Sequence, residues 1–233
     1  MERTANQTVG TSSPEKAALD GFVDRYFNRK VSALLTRLFL RISLSPNAIT
    51  VLSLSIGLMA AGSFALGTYT AGIIGSLLLQ LSAIVDCCDG EVARLTNRQS
   101  RFGEQLDIAA DNVVHMAIFA GVAWGLFIQQ GSGTGSWLPL ALGAAAVVGN
   151  VLSFWLVRRA KALRDQQAWA NPTQAARSDF ILKNVVSRDF SVVLLIFALF
   201  DALEWFLWLA AIGSNIFWVV LAWVTRSSIV VRA

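Results

Sequence analysis

The sequence predicts an all-α integral membrane protein, with six transmembrane helices preceded by an N-terminal amphipathic interfacial helix. Three observations predict it. Residues 42–85 contain no Asp, Glu, Lys or Arg, and residues 112–157 contain none either, runs of 44 and 46 residues. A third apolar block, 190–225, is broken only by Asp201 and Glu204. A bilayer core takes about 20 apolar residues per helix, so each block is long enough for two spans and a turn. Lastly, 233 residues with 15% charge and a mean hydropathy of +0.57 are too apolar for an ordinary soluble domain and exclude a disordered chain.

The elements follow in order. Residues 1–14 are expected to be disordered. The N-terminus does not read as a signal peptide, because its first apolar run comes late and is flanked by charge. Residues 30–43 fit an amphipathic helix: Val31, Leu34, Leu35, Leu38 and Ile42 fall at i, i+3, i+4, i+7 and i+11, with Lys30, Arg37 and Arg41 on another face. That helix either lies in the membrane interface or packs on the protein itself. The polar breaks Gly67-Thr68-Tyr69-Thr70 and Gln129-Gln130-Gly131-Ser132-Gly133 divide the first two blocks. The third divides near Asp201 and Glu204. A turn at Gly213-Ser214-Asn215 would instead leave both acids within the membrane, which is costly. The predicted spans are 47–67, 71–94, 103–127, 137–160, 189–202 and 205–226, forming a catalytic domain over 47–233 behind a cytoplasmic segment, 1–46.

Charge sets the orientation. Seven Lys or Arg lie in 1–46, three in 94–101 (Arg94, Arg98, Arg101), seven in 158–188 and two at the C-terminus (Arg226, Arg232), which is all 19 in the chain. The remaining three connections hold none. Both termini are therefore expected on the cytoplasmic side of a bacterial or archaeal type inner membrane. The net charge of +4 is then a topology signal, and nucleic acid is not expected as a partner. Cys87 and Cys88, the only cysteines, exclude a disulfide scaffold and read as small buried thiols.

Chemistry sits where the apolar pattern fails. Asp86, Asp89, Asp107 and Asp111 lie within the second and third predicted spans, and an Asp at the bilayer centre costs about 2.5–3.5 kcal/mol. Asp86, Asp89, Gly90 and Ala93 share one helical face; Gly103, Asp107 and Asp111 share another. The short turn between them makes the two helices antiparallel neighbours, so the acidic faces can meet. At 1.5 Å per residue Asp86 lies about 12 Å along its helix from Arg94, and Asp111 about 15 Å from Arg101, below the cytoplasmic surface. Four carboxylates in such a cavity need cations, and oxygen ligands select Mg2+ or Mn2+. The single histidine, His115, offers no zinc set. Facing carboxylates can hold two divalent ions, as in phosphoryl transfer. Gly90, Ala93 and Gly103 either leave room for a ligand or let helices pack tightly.

The stretch Asp86-x2-Asp89-Gly90-x2-Ala93-Arg94-x8-Gly103-x3-Asp107-x3-Asp111 resembles the signature of the CDP-alcohol phosphotransferase (CDP-alcohol phosphatidyltransferase) family at all eight fixed positions. The lead-in Ser45-Pro46-Asn47-Ala48-Ile49-Thr50 and the six-helix topology are similar too. The resemblance implies a reaction in which a CDP-alcohol such as CDP-diacylglycerol gives its phosphoalcohol group to a hydroxyl acceptor and CMP leaves, in phospholipid biosynthesis. It implies that Asp86, Asp89 and Asp107 bind divalent metals. It further implies that Asp111 also reaches a metal and acts as general base. By the same resemblance Gly90, Ala93, Arg94 and Gly103, with Asn47 and Thr50, are expected to line the CDP pocket. Family members are often homodimers.

The basic cluster after the fourth predicted span anchors the membrane face or forms a phosphate-binding rim. Arg158, Arg159 and Arg188 occupy places similar to those of basic residues in family members that use inositol phosphate. Ser187-Arg188-Asp189-Phe190 and the N-terminal half also resemble the transferase part of di-myo-inositol phosphate phosphate synthases, which implies CDP-inositol as an alternative donor; no cytidylyltransferase domain is expected. His115 and the tryptophans Trp205, Trp208, Trp218 and Trp223 read as packing or interface residues. A rival class is a cation transporter, because intramembrane carboxylates mark ion pathways. Against it, the acids cluster at one end of one helix pair and no inverted repeat is visible.

Overall fold

A computed structural model describes residues 29–130, 137–167 and 190–230, with side chains described over 31–130, 137–159 and 190–223. Among the described residues there are seven helices and no strand: α1 (Arg29–Arg41), α2 (Pro46–Ala65), α3 (Tyr69–Leu95), α4 (Arg101–Gln129), α5 (Leu138–Gln167), α6 (Phe190–Leu199) and α7 (Leu203–Val230). Five of them, α2, α3, α4, α5 and α7, are long and apolar enough to cross a membrane. Their bounds follow the predicted spans closely. The described part of the predicted fifth span is the ten-residue apolar α6.

Several helices start or stop for a local reason. Ser45, Thr68 and Ser100 cap α2, α3 and α4 by accepting from the amides of Ala48, Ala71 and Gly103, which satisfies donors that no helical carbonyl reaches. Pro46 opens α2, where its missing amide hydrogen does no harm. α1, α3 and α6 stop the same way. Ser43, Asn97 and Asp201 take left-handed φ values of 55°, 54° and 52°. In each case the next residue reaches back five positions, as in Leu44 N–H to the Phe39 carbonyl (3.0 Å), Arg98 to Ala93 (2.9 Å) and Ala202 to Phe197 (2.8 Å). Asn and Asp tolerate this conformation better than most residues. The α6–α7 turn is therefore at Asp201, which is exposed, and Gly213-Ser214-Asn215 is helical within α7.

The core lies where α3 and α4 each pack along α2, with little direct contact between α3 and α4 although the sequence reading made them neighbours; α5 and α7 lie against α4, and α6 against α3. Its centre is Ala60, Phe64, Leu79, Ile118, Phe119 and Val122, met by Leu194 and Leu207. Inside a bilayer, burying oil against oil gains little, so close approach and hydrogen bonds must hold helices together. Both are present. A side chain on Gly121 or Gly125 would run into the carbonyls of Ala61 and Phe64, so α2 and α4 touch backbone to backbone. Asn215 on α7 donates to the Ala145 carbonyl of α5 (3.0 Å) and accepts from Trp218 Nε1 (3.0 Å).

For α1 the sequence left two surroundings open for its apolar stripe, the membrane interface or the protein. Most of the stripe does not face the protein: Leu34, Leu38 and Ile42 are exposed, Leu35 is half-buried beside Phe39, and Ser32, Thr36 and Phe39 are buried against α3. In a membrane protein an apolar residue can face lipid, whereas a hydroxyl needs a protein partner.

Candidate active site

The α3–α4 hairpin brings the acids together. One carboxylate oxygen from each of Asp86, Asp89 and Asp107 lies within 4.8 Å of the others. Asp86 and Asp89 are 8% exposed, and Asp107 Oδ1 is shielded from solvent. Such a trio of oxygen ligands could hold a divalent ion. Asp111, one turn further along α4, is half-buried and lies outside this trio.

α2 supplies hydroxyls to two of the aspartates. Thr50 Oγ1 donates to Asp89 Oδ2 at 2.5 Å, and Ser53 Oγ lies 3.5 Å from Asp86 Oδ1. Thr50 and Ser53 are three residues apart and so share a helix face. The sequence reading named Thr50 but missed Ser53, although the Thr50-x2-Ser53 spacing was there to find.

A cleft of about 510 Å³ opens beside the acids, and Asp89 and Asp107 line it. Asn47, Thr50, Gly90, Ala93, Arg94 and Gly103, the residues that the family resemblance gives to the nucleotide, all line it as well. So do Arg98 and Arg101, which sequence reasoning had used only as topology markers. The mouth is therefore cationic and one wall is acidic. The N-termini of α2 (Pro46, Asn47) and α4 (Ser100, Arg101) both border the cleft, and helix N-termini favour anions. A Cβ on Gly103 would sit 3.1 Å from Asn47 Oδ1 and Ser100 Oγ, so this wall has no spare room.

Residues 43–216 match the sequence profile of the CDP-alcohol phosphatidyltransferase family. The chain belongs to the CDP-alcohol phosphatidyltransferase family. Its membership and its five apolar helices make it an integral membrane protein. The chain is 33% identical over 155 residues to a bifunctional IPC transferase and DIPP synthase of Aquifex aeolicus, covering 66% of this chain and 33% of that one. It thus spans about a third of that relative's length. It is 28% identical over 138 residues to a phosphatidylinositol phosphate synthase of Mycobacteroides abscessus, covering 58% and 60%. In fold it is similar to the phosphatidylinositol phosphate synthase PgsA1 of Mycobacterium tuberculosis with CDP-DAG bound, at a TM-score of 0.56 and 23% identity, covering 83% and 92%. PgsA1 has also been crystallised with manganese and citrate (TM-score 0.50, 22% identity, covering 82% of this chain and 88% of that one).

The other candidates fall as follows. Arg158 and Arg159 are exposed on α5, stacked over Phe154 and Trp155 at 5.5 and 5.3 Å, and neither lines the cleft. Arg188 lies outside the described residues. His115 Nδ1 donates to the Asp111 carbonyl (2.7 Å), and its ring meets Phe190 at 4.9 Å, as a packing residue would. Trp208 packs against the core, while Trp205 and Trp223 are exposed. Cys88 is fully buried and Cys87 half-buried, both as free thiols.

Proposed function

We propose that this chain is a metal-dependent CDP-alcohol phosphotransferase that moves a phosphatidyl group from CDP-diacylglycerol to a hydroxyl acceptor and releases CMP. The observation that carries the reading is the Asp86–Asp89–Asp107 trio within 4.8 Å, two of whose members line a cleft together with Gly90, Ala93, Arg94 and Gly103 of the family signature. Its donor set is all carboxylate, which fits Mg2+ or Mn2+, and we take two ions as the working number. Bound there, such ions would screen the diphosphate and the charge that develops on departing CMP.

The chain's own groups do the rest. Asp86, Asp89 and Asp107 hold the metal side, with Asp111 reaching it from one turn away. Gly90, Ala93 and Gly103 keep the cleft wall thin beside the nucleotide, with Asn47 and Thr50 on the α2 side. Arg94, Arg98 and Arg101 offset phosphate charge at the mouth. Asp111 takes the proton of the acceptor hydroxyl. The acceptor oxygen then bonds to the β-phosphorus as the bond to the CMP oxygen breaks, with no covalent enzyme intermediate.

We further place six spans over 47–233, with α6 in the fifth, 189–202, and the amphipathic α1 in the interface within a cytoplasmic segment, 1–46. Both termini and the cleft would face the cytoplasm of a bacterial or archaeal type inner membrane, and two copies would form a homodimer. Arg158, Arg159 and Arg188 would serve an acceptor phosphate from the same membrane side. A second reading is favoured by the bifunctional relatives: a soluble donor such as CDP-inositol, with inositol phosphate as acceptor.

One experiment separates these. Detergent-purified protein is given CDP-diacylglycerol or CDP-inositol, each with a panel of hydroxyl acceptors and Mg2+, and products are read by mass spectrometry. Lipid phosphodiester with CMP supports the first reading. A water-soluble inositol phosphodiester supports the second. No CMP from any donor, with intact protein, overturns both.

A further inference from the structure

Glu91 is a carboxylate of the signature stretch that the reaction does not use, standing in the gap between Gly90 and Ala93. It is two residues from Asp89, a rotation of about 200° on a helix of 3.6 residues per turn, so it faces away from the metal trio. On that side it meets α1. Thr36 Oγ1 donates to Glu91 Oε2 at 2.7 Å, and Ser32 Oγ donates to Oε1 at 3.3 Å. Ser32 and Thr36 are 0% exposed and four residues apart, so both hydroxyls leave α1 from one face. Around them, Phe39 packs with Val85, Cys88 and Val92 of α3.

The same turn of α3 is thus held from two opposite sides. Thr50 of α2 grips Asp89, and Ser32 and Thr36 of α1 grip Glu91. Rotation of α3 about its axis would break one grip or the other, and it would carry Asp86 and Asp89 out of register with Asp107. We propose that Glu91 is a positioning residue: its hydrogen bonds to Ser32 and Thr36 on α1 fix the rotation of α3 and so the geometry of the aspartate trio. This rests on the metal-site reading above.

The test reads metal binding without turnover, using Mn2+ titrated into detergent-purified protein and followed by electron paramagnetic resonance. Thr36→Val removes one hydroxyl at nearly constant volume, and the Ser32→Ala/Thr36→Val pair removes both. Both should weaken Mn2+ binding, by about tenfold for the pair, the low end of what groups behind metal ligands contribute. Thr36→Ser, which keeps the hydroxyl, should bind like wild type. Phe39→Leu loosens the apolar contact of α1 and leaves the hydroxyls alone; it should lower the melting temperature with Mn2+ affinity unchanged. Hydroxyl deletions that leave Mn2+ affinity at the wild-type value overturn the proposal. So does a Phe39→Leu variant that loses as much affinity as they do, because α1 would then act by packing alone. A wild-type protein that binds no Mn2+ overturns the metal site itself along with it.

Discussion

The hydroxyl of Thr50 and the carboxylate of Asp89, on different helices and 39 residues apart in sequence, form a buried 2.5 Å hydrogen bond. It fixes the rotamer of an aspartate in the trio from the neighbouring helix, as partners behind a metal ligand do. Thr50→Val should therefore raise the Mg2+ concentration needed for half-maximal CMP release by about 10-fold to 100-fold. Thr50→Ser should restore the wild-type requirement. A Mg2+ titration of the three proteins checks this.

Asp111 carries the proton in the proposed reaction. Asp111→Asn should lower CMP release by about 100-fold or more, while the protein keeps its melting temperature and still binds CDP-alcohol. Equilibrium binding alongside single-turnover rates separates the two effects. Undiminished turnover removes Asp111 as the base.

Gly103 tests the cleft wall. A methyl group there would meet Asn47 Oδ1 and Ser100 Oγ at 3.1 Å, so Gly103→Ala should narrow the space taken by the donor. KM for the CDP-alcohol should rise about tenfold, and the melting temperature should change little because the cleft is open. Steady-state kinetics with a thermal melt decide it.

Gly125 tests the scaffold. It lies against the Phe64 carbonyl with no room for a side chain, so Gly125→Leu must push α4 off α2. Overpacking of this kind costs about 1–3 kcal/mol, and thermal unfolding in detergent should show a clear drop. An unchanged melting temperature would mean that α2 and α4 do not touch there.

Orientation is open to labelling. In a chain with Cys87 and Cys88 replaced by alanine, a single cysteine at Asn97 should react with an impermeant thiol reagent from the cytoplasmic side. One at Gln130 should react only from the opposite side. The reverse pattern would overturn the topology drawn from the Lys and Arg distribution.

The spans were legible because absence of charge over 40 residues has few other causes, and the α6–α7 turn because Asp201 and Glu204 are hard to keep in lipid. The aspartate trio was legible because i, i+3 and i+4 spacing fixes helix faces before any tertiary structure is known. Contacts between elements were not. Nothing in 30–43 marks Ser32 and Thr36 as the buried residues and Leu34 and Leu38 as the exposed ones, because amphipathic patterns are read against water and this helix meets both lipid and protein. Glu91 was passed over for a related reason: a carboxylate near a span's end looks solvated until the helix docked on it is seen. Ser53 was hidden among the small polar residues of α2, where hydroxyls commonly bond to their own backbone.

The tight turn at Asn97 has a consequence for biogenesis. Neither α3 with Asp86, Asp89 and Glu91 nor α4 with Glu104, Asp107 and Asp111 is a comfortable guest of the bilayer when alone, since each carries three carboxylates. Joined by so short a link and both packed on α2, the two can leave the insertion machinery together with α2, their acids gathered at one site instead of facing hydrocarbon singly.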